Sequence, residues 1–280
     1  MGANYAEGLY TYEMGDSIFV MAYVETAEGI QYGGIRERNI KSLLDERKAD
    51  AAKFPNVYER TVYEKMSALE SNVGAYRAQF TSIEKLDVMD APMLGAFTAE
   101  NGSFALEAET DSTGYTYGQN VQIIIVEPWG LKFNVKFSKN NAVVDYASLE
   151  DYGVIVYYDT EGTYEDSAAV TIDDIVRNEN SYVFSNLNGD ASVASGYVGA
   201  LYNGGIYTYQ LDSNAYVVGY IKDASGYHYS PIRVRNAYEL ASTRKDAATG
   251  YGDLEKVVYA SMVEMYDAIK AYRDDYFSKN

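Results

Sequence analysis

Two spacings of apolar residues run along this chain, and they predict different elements. Short alternating or continuous apolar runs bounded by Gly, Asn and Asp clusters read as strands. Examples are Gln122-Ile-Ile-Ile-Val126, Leu131-Lys-Phe-Asn-Val-Lys-Phe137 and Gly153-Val-Ile-Val-Tyr-Tyr158. From about Phe97 to Gly204 this pattern dominates, which suggests an antiparallel sandwich. Farther on, Ala215–Lys222 and Tyr227–Ser230 flank Asp223-Ala-Ser-Gly226, a hairpin whose glycine is placed for positive φ. The other spacing is helical. Val258, Met262, Met265, Ile269, Tyr272 and Tyr276 recur every three to four residues, as do Val62, Met66, Leu69, Val73, Tyr76 and Phe80. Each set predicts a long helix with an apolar packing stripe. Shorter helices are expected from Ala237 to about Ala248 and from Ile40 to about Ala52, each preceded by an asparagine able to cap it. Thr249-Gly-Tyr-Gly252 and Phe54-Pro-Asn56 break short helix from long.

The two sets of elements are alike because the sequence repeats at an offset of 197 residues. Gly8-Leu-Tyr-Thr-Tyr12 returns as Gly205-Ile-Tyr-Thr-Tyr209, and Tyr23, Gly29, Tyr32, Arg36, Arg38 and Asn39 return as Tyr220, Gly226, Tyr229, Arg233, Arg235 and Asn236. Between Gly8 and Lys48, 16 of 41 positions match the segment Gly205–Lys245. A repeat of this length predicts two copies of one structural unit. The expected class is α+β, mainly β: two lobes of antiparallel, immunoglobulin-like sandwich elements, each followed by a helical hairpin. The lobes are expected at residues 1–96, as a partial copy, and 97–280. Residues 81–96 read as the connection.

Composition narrows the partners. A net charge of −18 repels nucleic acid and anionic membranes. Apolar residues make up 47 %, yet no run is long enough to span a bilayer. With no cysteine the chain has neither disulfides nor thiolate metal sites, which is compatible with export. No signal peptide is visible; Met1-Gly2 reads as a replaced N-terminus, so a leader is expected to have been removed. Tyrosine is heavily used, 30 residues against 9 Phe and one Trp, and it suits half-exposed sheet positions and binding surfaces.

Catalytic chemistry finds little support. Glu107/Glu109 and Glu161/Glu165 are carboxylate pairs without a counterpart across the repeat, so no enzyme is expected. The one histidine, His228, aligns with Gln31 and reads as a surface residue on the strand face opposite Tyr227 and Tyr229. Asp159-Thr-Glu-Gly162 and Asn186-Leu-Asn-Gly-Asp190 read as acidic turns and lack EF-hand spacing. No metal and no cofactor is expected.

Trp129-Gly-Leu-Lys-Phe133, Asp151-Tyr-Gly-Val-Ile-Val156, Ala215-Tyr-Val-Val-Gly-Tyr220 with Tyr229-Ser230, and Ala237-Tyr-Glu-Leu-Ala241 follow one another in an order that resembles the β-sandwich modules of secreted surface proteins from gut Firmicutes. The resemblance covers roughly 125–245 and, through the repeat, 8–50. Lys132 stands where the pattern usually has Arg, and Trp129 where it often has Tyr. A Tyr-rich sandwich with trailing helices, duplicated, is also similar to starch adherence system proteins of ruminococcal amylosomes. That similarity implies an extracellular or cell-surface, non-catalytic protein whose partner is a polysaccharide, with α-1,4-glucan favoured, within a larger surface protein or complex.

Sugar rings stack on aromatic faces, and flanking donors and acceptors meet their hydroxyls. Trp129, at the strand entry Glu127-Pro-Trp-Gly130, is either such a platform or a core residue between sheets. Tyr227 with Tyr229, and Tyr115 with Tyr117, share a strand face at a spacing of roughly 6.5–7 Å. Tyr32 repeats Tyr229 and can serve structure in both lobes. Arg233 and Arg235 can reach sugar hydroxyls, although salt bridges to Asp or Glu compete. The alternative to a glycan binder is a structural or adhesive spacer, and buried tyrosine pairs would favour it.

Overall fold

Every strand ladder among the described residues is antiparallel, and five α-helices accompany fourteen strands. The computed structural model describes residue 11 and residues 14–79, 114–125, 130–202 and 206–279. Trp129, Phe80, the Glu107/Glu109 pair and most of the Gly8–Tyr12 motif lie outside the described residues.

In chain order, β1 (Ile18–Val20), β2 (Tyr23–Thr26), β3 (Gly29–Tyr32) and β4 (Arg36–Arg38) lead into α1 (Ile40–Ala49) and α2 (Val57–Arg77). Next come β5 (Tyr115–Ile124), β6 (Gly130–Lys139), β7 (Ala142–Val143) and β8 (Asp151–Asp159), followed by α3 (Ile172–Val176). Then β9 (Tyr182–Ser185), β10 (Ser192–Ala194) and β11 (Tyr197–Tyr202) precede β12 (Asn214–Asp223), β13 (Gly226–Tyr229) and β14 (Arg233–Arg235). The chain ends in α4 (Ala237–Lys245) and α5 (Asp253–Lys279).

These elements form two compact units, Met1–Ile83 with Arg244–Asn280 and Glu84–Thr243. The division differs from the expected boundary at 96/97. Helix α5, expected with the second lobe, lies in the first unit, where its polar residues meet α2. Asn72 Nδ2 donates to Ser261 Oγ at 2.6 Å, and Lys65 pairs with Glu264 at 2.9 Å. Leu69 and Val73 of α2, and Val258, Met262 and Met265 of α5, are buried, as the stripes require. Tyr276 is exposed, so the stripe outlasts its burial. Asn56 caps α2 by accepting the Tyr58 and Glu59 N–H groups.

The second unit holds two five-stranded sheets, one ordered β10-β11-β6-β5 with β7 on β6, the other β13-β12-β8-β9 with β14 on β12. They face each other where Val135 of β6 meets Gly219 of β12. A Cβ at Gly219 would come within 2.6 Å of the valine side chain, so glycine permits the approach. Gln119 Nε2 of β5 donates to Ser230 Oγ at 2.8 Å and to the Pro231 carbonyl at 2.7 Å. On the far face of the second sheet Ile155, Tyr157, Tyr216, Val218 and Tyr220 are buried with Ile175 and Val176 of α3. That helix falls where the sequence reads as strands and turns only. Thr171 and Asp174 start it with a reciprocal capping box, and two buried apolar residues secure its five-residue length.

Candidate functional site

Two small ribbons, one in each unit, carry the same backbone register. In the second unit Ala215, Tyr216 and Val217 of β12 face Arg235, Val234 and Arg233 of β14, and Tyr220–Asp223 face Tyr229–Gly226 of β13. In the first, Ile18, Phe19 and Val20 of β1 face Arg38, Glu37 and Arg36 of β4, and Tyr23–Thr26 of β2 face Tyr32–Gly29 of β3. Each of these pairs differs from its counterpart by 197 positions. The turns agree as well: Gly226 and Gly29 sit at φ 123° and 114°, where only glycine is unstrained. Asn236 accepts the Glu239 N–H at 2.8 Å, and Asn39 accepts that of Ser42 at 2.7 Å. Beyond the ribbons an Arg–Tyr–Glu set recurs that the sequence reading did not single out. Arg244 lies over Tyr251 and Tyr259, whose hydroxyl donates to Glu255; Arg47 lies over Phe54 and Tyr63, whose hydroxyl donates to Glu59.

The ribbons differ in what covers them. Tyr227 and Tyr229 share a strand face, with rings parallel to within 5° and centroids 6.1 Å apart, near the expected spacing. Their side chains are 7 % and 3 % exposed, inside the cluster that α3 closes. Beside them the Tyr220 hydroxyl donates to Asp151 at 2.8 Å, and Ser185 donates to the same buried carboxylate. Tyr23 and Tyr32, the counterparts of Tyr220 and Tyr229, are 66 % and 64 % exposed. Phe19, Met21, Ile30 and Ile35, at the positions of buried or half-buried residues of the second ribbon, are exposed with them.

The other candidates fall in mixed settings. Tyr115 and Tyr117 also share a strand face, but it is the face toward the second sheet. Tyr115 lies 4.9 Å from the His228 ring and under Lys139, and Tyr117 meets Phe137 edge-on at 5.3 Å. Arg233 and Arg235 are half-buried on β14. Arg235 donates to the Val234 carbonyl at 2.8 Å, and neither arginine is ion-paired to a described carboxylate. Burial, and then the neighbouring Arg235 charge, push the Arg233 guanidinium below its ordinary value. His228 is not a surface residue but 2 % exposed. It does lie opposite Tyr227 and Tyr229, but the first sheet covers that face, and Nε2 sits 3.1 Å from Ser225 Oγ and 3.3 Å from Asp223.

An exposed parallel aromatic pair lies outside the residues that the sequence singles out. Tyr207 and Tyr209 are 58 % and 47 % exposed, parallel to within 8°, with centroids 5.6 Å apart. The sequence signal was available, since the repeat carries Tyr10 and Tyr12 at these positions. An open cleft of about 440 Å³ is lined by Glu37, Arg38, Asn39, Ser42, Leu43 and Glu46. The Asn39 side chain there is engaged as the α1 cap. Among the described residues no cluster of His, Cys, Asp or Glu is placed to hold a metal ion, and no helix is long and apolar enough to cross a membrane.

Electrostatics at the second ribbon centre on its turn. Burial alone raises the Asp223 carboxyl, but hydrogen bonds from Ser225 and His228 outweigh it and hold the group at about 2. A depressed carboxyl contributes stability above its ordinary value of about 4 and loses it as pH falls toward 2. Asp223→Asn should therefore cost the second unit about 1–2 kcal/mol at pH 7 and flatten its acid limb between pH 4 and 2. Urea titrations at both pH values measure this; an unchanged acid limb would contradict it.

Compared with protein-family models, curated proteins and solved structures, the chain matches none.

Proposed function

We propose that this chain is a non-catalytic structural and adhesive module of a surface protein, built from two copies of one unit with immunoglobulin-like sandwich elements. The duplication is supported by 16 identities in 41 positions together with the two matching ribbon registers. The observation that carries the adhesive reading is the contrast between those ribbons. The second buries its tyrosines as core, while the first presents Tyr23 and Tyr32 to solvent in the same register. Phe19, Met21, Ile30 and Ile35 are exposed with them, and exposed apolar residues grouped in this way mark interaction sites.

Polysaccharide binding, with α-1,4-glucan favoured by the amylosome resemblance, is the second reading. Tyr227 and Tyr229 offer no open ring face, so it now rests on Tyr32 with Tyr23 and, more directly, on the exposed parallel pair Tyr207 and Tyr209. Native gels cast with amylopectin, xylan or mannan separate the two. The adhesive reading expects unchanged mobility in every gel. Retardation in amylopectin that falls about tenfold in apparent affinity with Tyr207→Ala or Tyr209→Ala would put the glycan reading ahead.

A further inference from the structure

The second ribbon shows what the first one lacks. Strand β12 has β13 and β14 on one edge, and its other edge pairs with β8 from Asn214↔Asp159 to Lys222↔Asp151. Strands β1 and β2 have β4 and β3 on the equivalent edge, and among the described residues no strand pairs with the other. An open edge beside an apolar face is a template for strand addition.

We propose that the open edge of β1 and β2 accepts an extended strand from another polypeptide, added antiparallel in the register that β8 adopts on β12. This rests on the duplication above and not on the glycan reading. Strand β8 also specifies the guest. Gly153 lies opposite Tyr220, and a Cβ there would come within 2.0 Å of the Phe184 carbonyl of β9 and within 2.7 Å of the Tyr220 ring; the second contact returns where Tyr23 takes the place of Tyr220, so the guest carries glycine opposite Tyr23. Hydrophobic residues follow it, as Val154, Ile155 and Val156 follow Gly153. One charge is reversed. Lys222 faces Asp151 across the β12–β8 ladder and pairs with Glu150 at 3.5 Å, but Glu25 replaces this lysine on β2. The guest therefore carries a basic residue where β8 has Asp151, since like charges placed directly opposite destabilise a ladder. Strand β8 is consequently a template for the guest and a poor guest itself.

The test uses the full chain and synthetic peptides with the sequence of residues 151–159. A peptide carrying Asp151→Lys is expected to slow amide hydrogen exchange across Ile18–Thr26. It should bind several-fold more tightly than the unsubstituted peptide. Adding Gly153→Leu to it should weaken binding at least tenfold, about 1.4 kcal/mol, and a scrambled peptide should protect nothing. Absence of protection, or equal protection by the Gly153→Leu or scrambled peptide, overturns the proposal. Concentration-dependent self-association that protects the same amides without peptide also overturns it, assigning the edge to a second copy of this chain. Cross-strand NMR contacts between Tyr23 and Tyr32 and between Ile18 and Arg38 in the free protein report the duplicated register separately. With those contacts present and no peptide protection, strand acceptance fails while the duplication stands.

Discussion

Gly153→Ala is expected to cost the second unit about 4 kcal/mol or more, at the upper end of single-substitution effects. An alanine Cβ at this point of β8 would lie 2.0 Å from the Phe184 carbonyl oxygen and 2.7 Å from the Tyr220 ring. The first neighbour is backbone of β9, which pairs with β8 through Gly153↔Ser185 and Val154↔Phe184 and cannot turn aside as a side chain can. Relief requires that β9 leave the ladder or that Tyr220 withdraw from Asp151. Withdrawal would leave a buried carboxylate short of a donor. Ordinary overpacking costs about 1–3 kcal/mol, and a backbone clash adds to that. Chemical denaturation of Gly153→Ala measures the effect; a loss below about 1 kcal/mol would contradict the packing described for β8, β9 and β12.

Tyr229→Ala is expected to cost about 3–5 kcal/mol, the range for removing a large buried aromatic side chain. Its ring lies parallel to that of Tyr227, in the cluster of Tyr216, Val218, Tyr220 and the two apolar residues of α3. Truncation leaves a cavity beside Tyr216, Val218 and Tyr220 of β12, a strand that β8 holds on one edge and β13 and β14 on the other. At the matching position of the first ribbon the same substitution removes a mostly exposed ring. Tyr32→Ala gives up its cross-strand neighbour Tyr23 and little burial, about 1 kcal/mol or less.

Much of the local structure was legible because local chemistry decides it. Gly226 and Gly29 at the turns, Asn236 and Asn39 at the caps, and the three-to-four spacing of Val258, Met262 and Met265 each act within a few residues. What the sequence left open depends on partners distant along the chain. Pairing tyrosines on one face followed from strand alternation, but whether that face meets water or a second layer depends on α3 and the other sheet. Tyr227, Tyr229, Tyr115 and His228 all turn on that point. The short helix at Ile172–Val176 was missed because a single turn has no periodicity to detect, although Thr171 and Asp174 form a capping box. The apolar stripes of α2 and α5 announce a packing face on each helix but not its partner, which lies nearly two hundred residues away along the chain, as the pairs Asn72–Ser261 and Lys65–Glu264 show. Tyr207 and Tyr209 were visible as repeat positions, and only the geometry shows their rings open and parallel.

Two ribbons of one register are closed in the second unit and, among the described residues, open in the first. Tyr32→Ala and Tyr229→Ala measured side by side test this claim most directly, with urea-dependent hydrogen exchange followed peptide by peptide to read each unit separately. The expected result is a drop of about 3–5 kcal/mol for β12 and β13 with Tyr229→Ala, and of no more than about 1 kcal/mol for β2 and β3 with Tyr32→Ala. Equal losses in the two ribbons would show that the first is covered as the second is, and would contradict the claim.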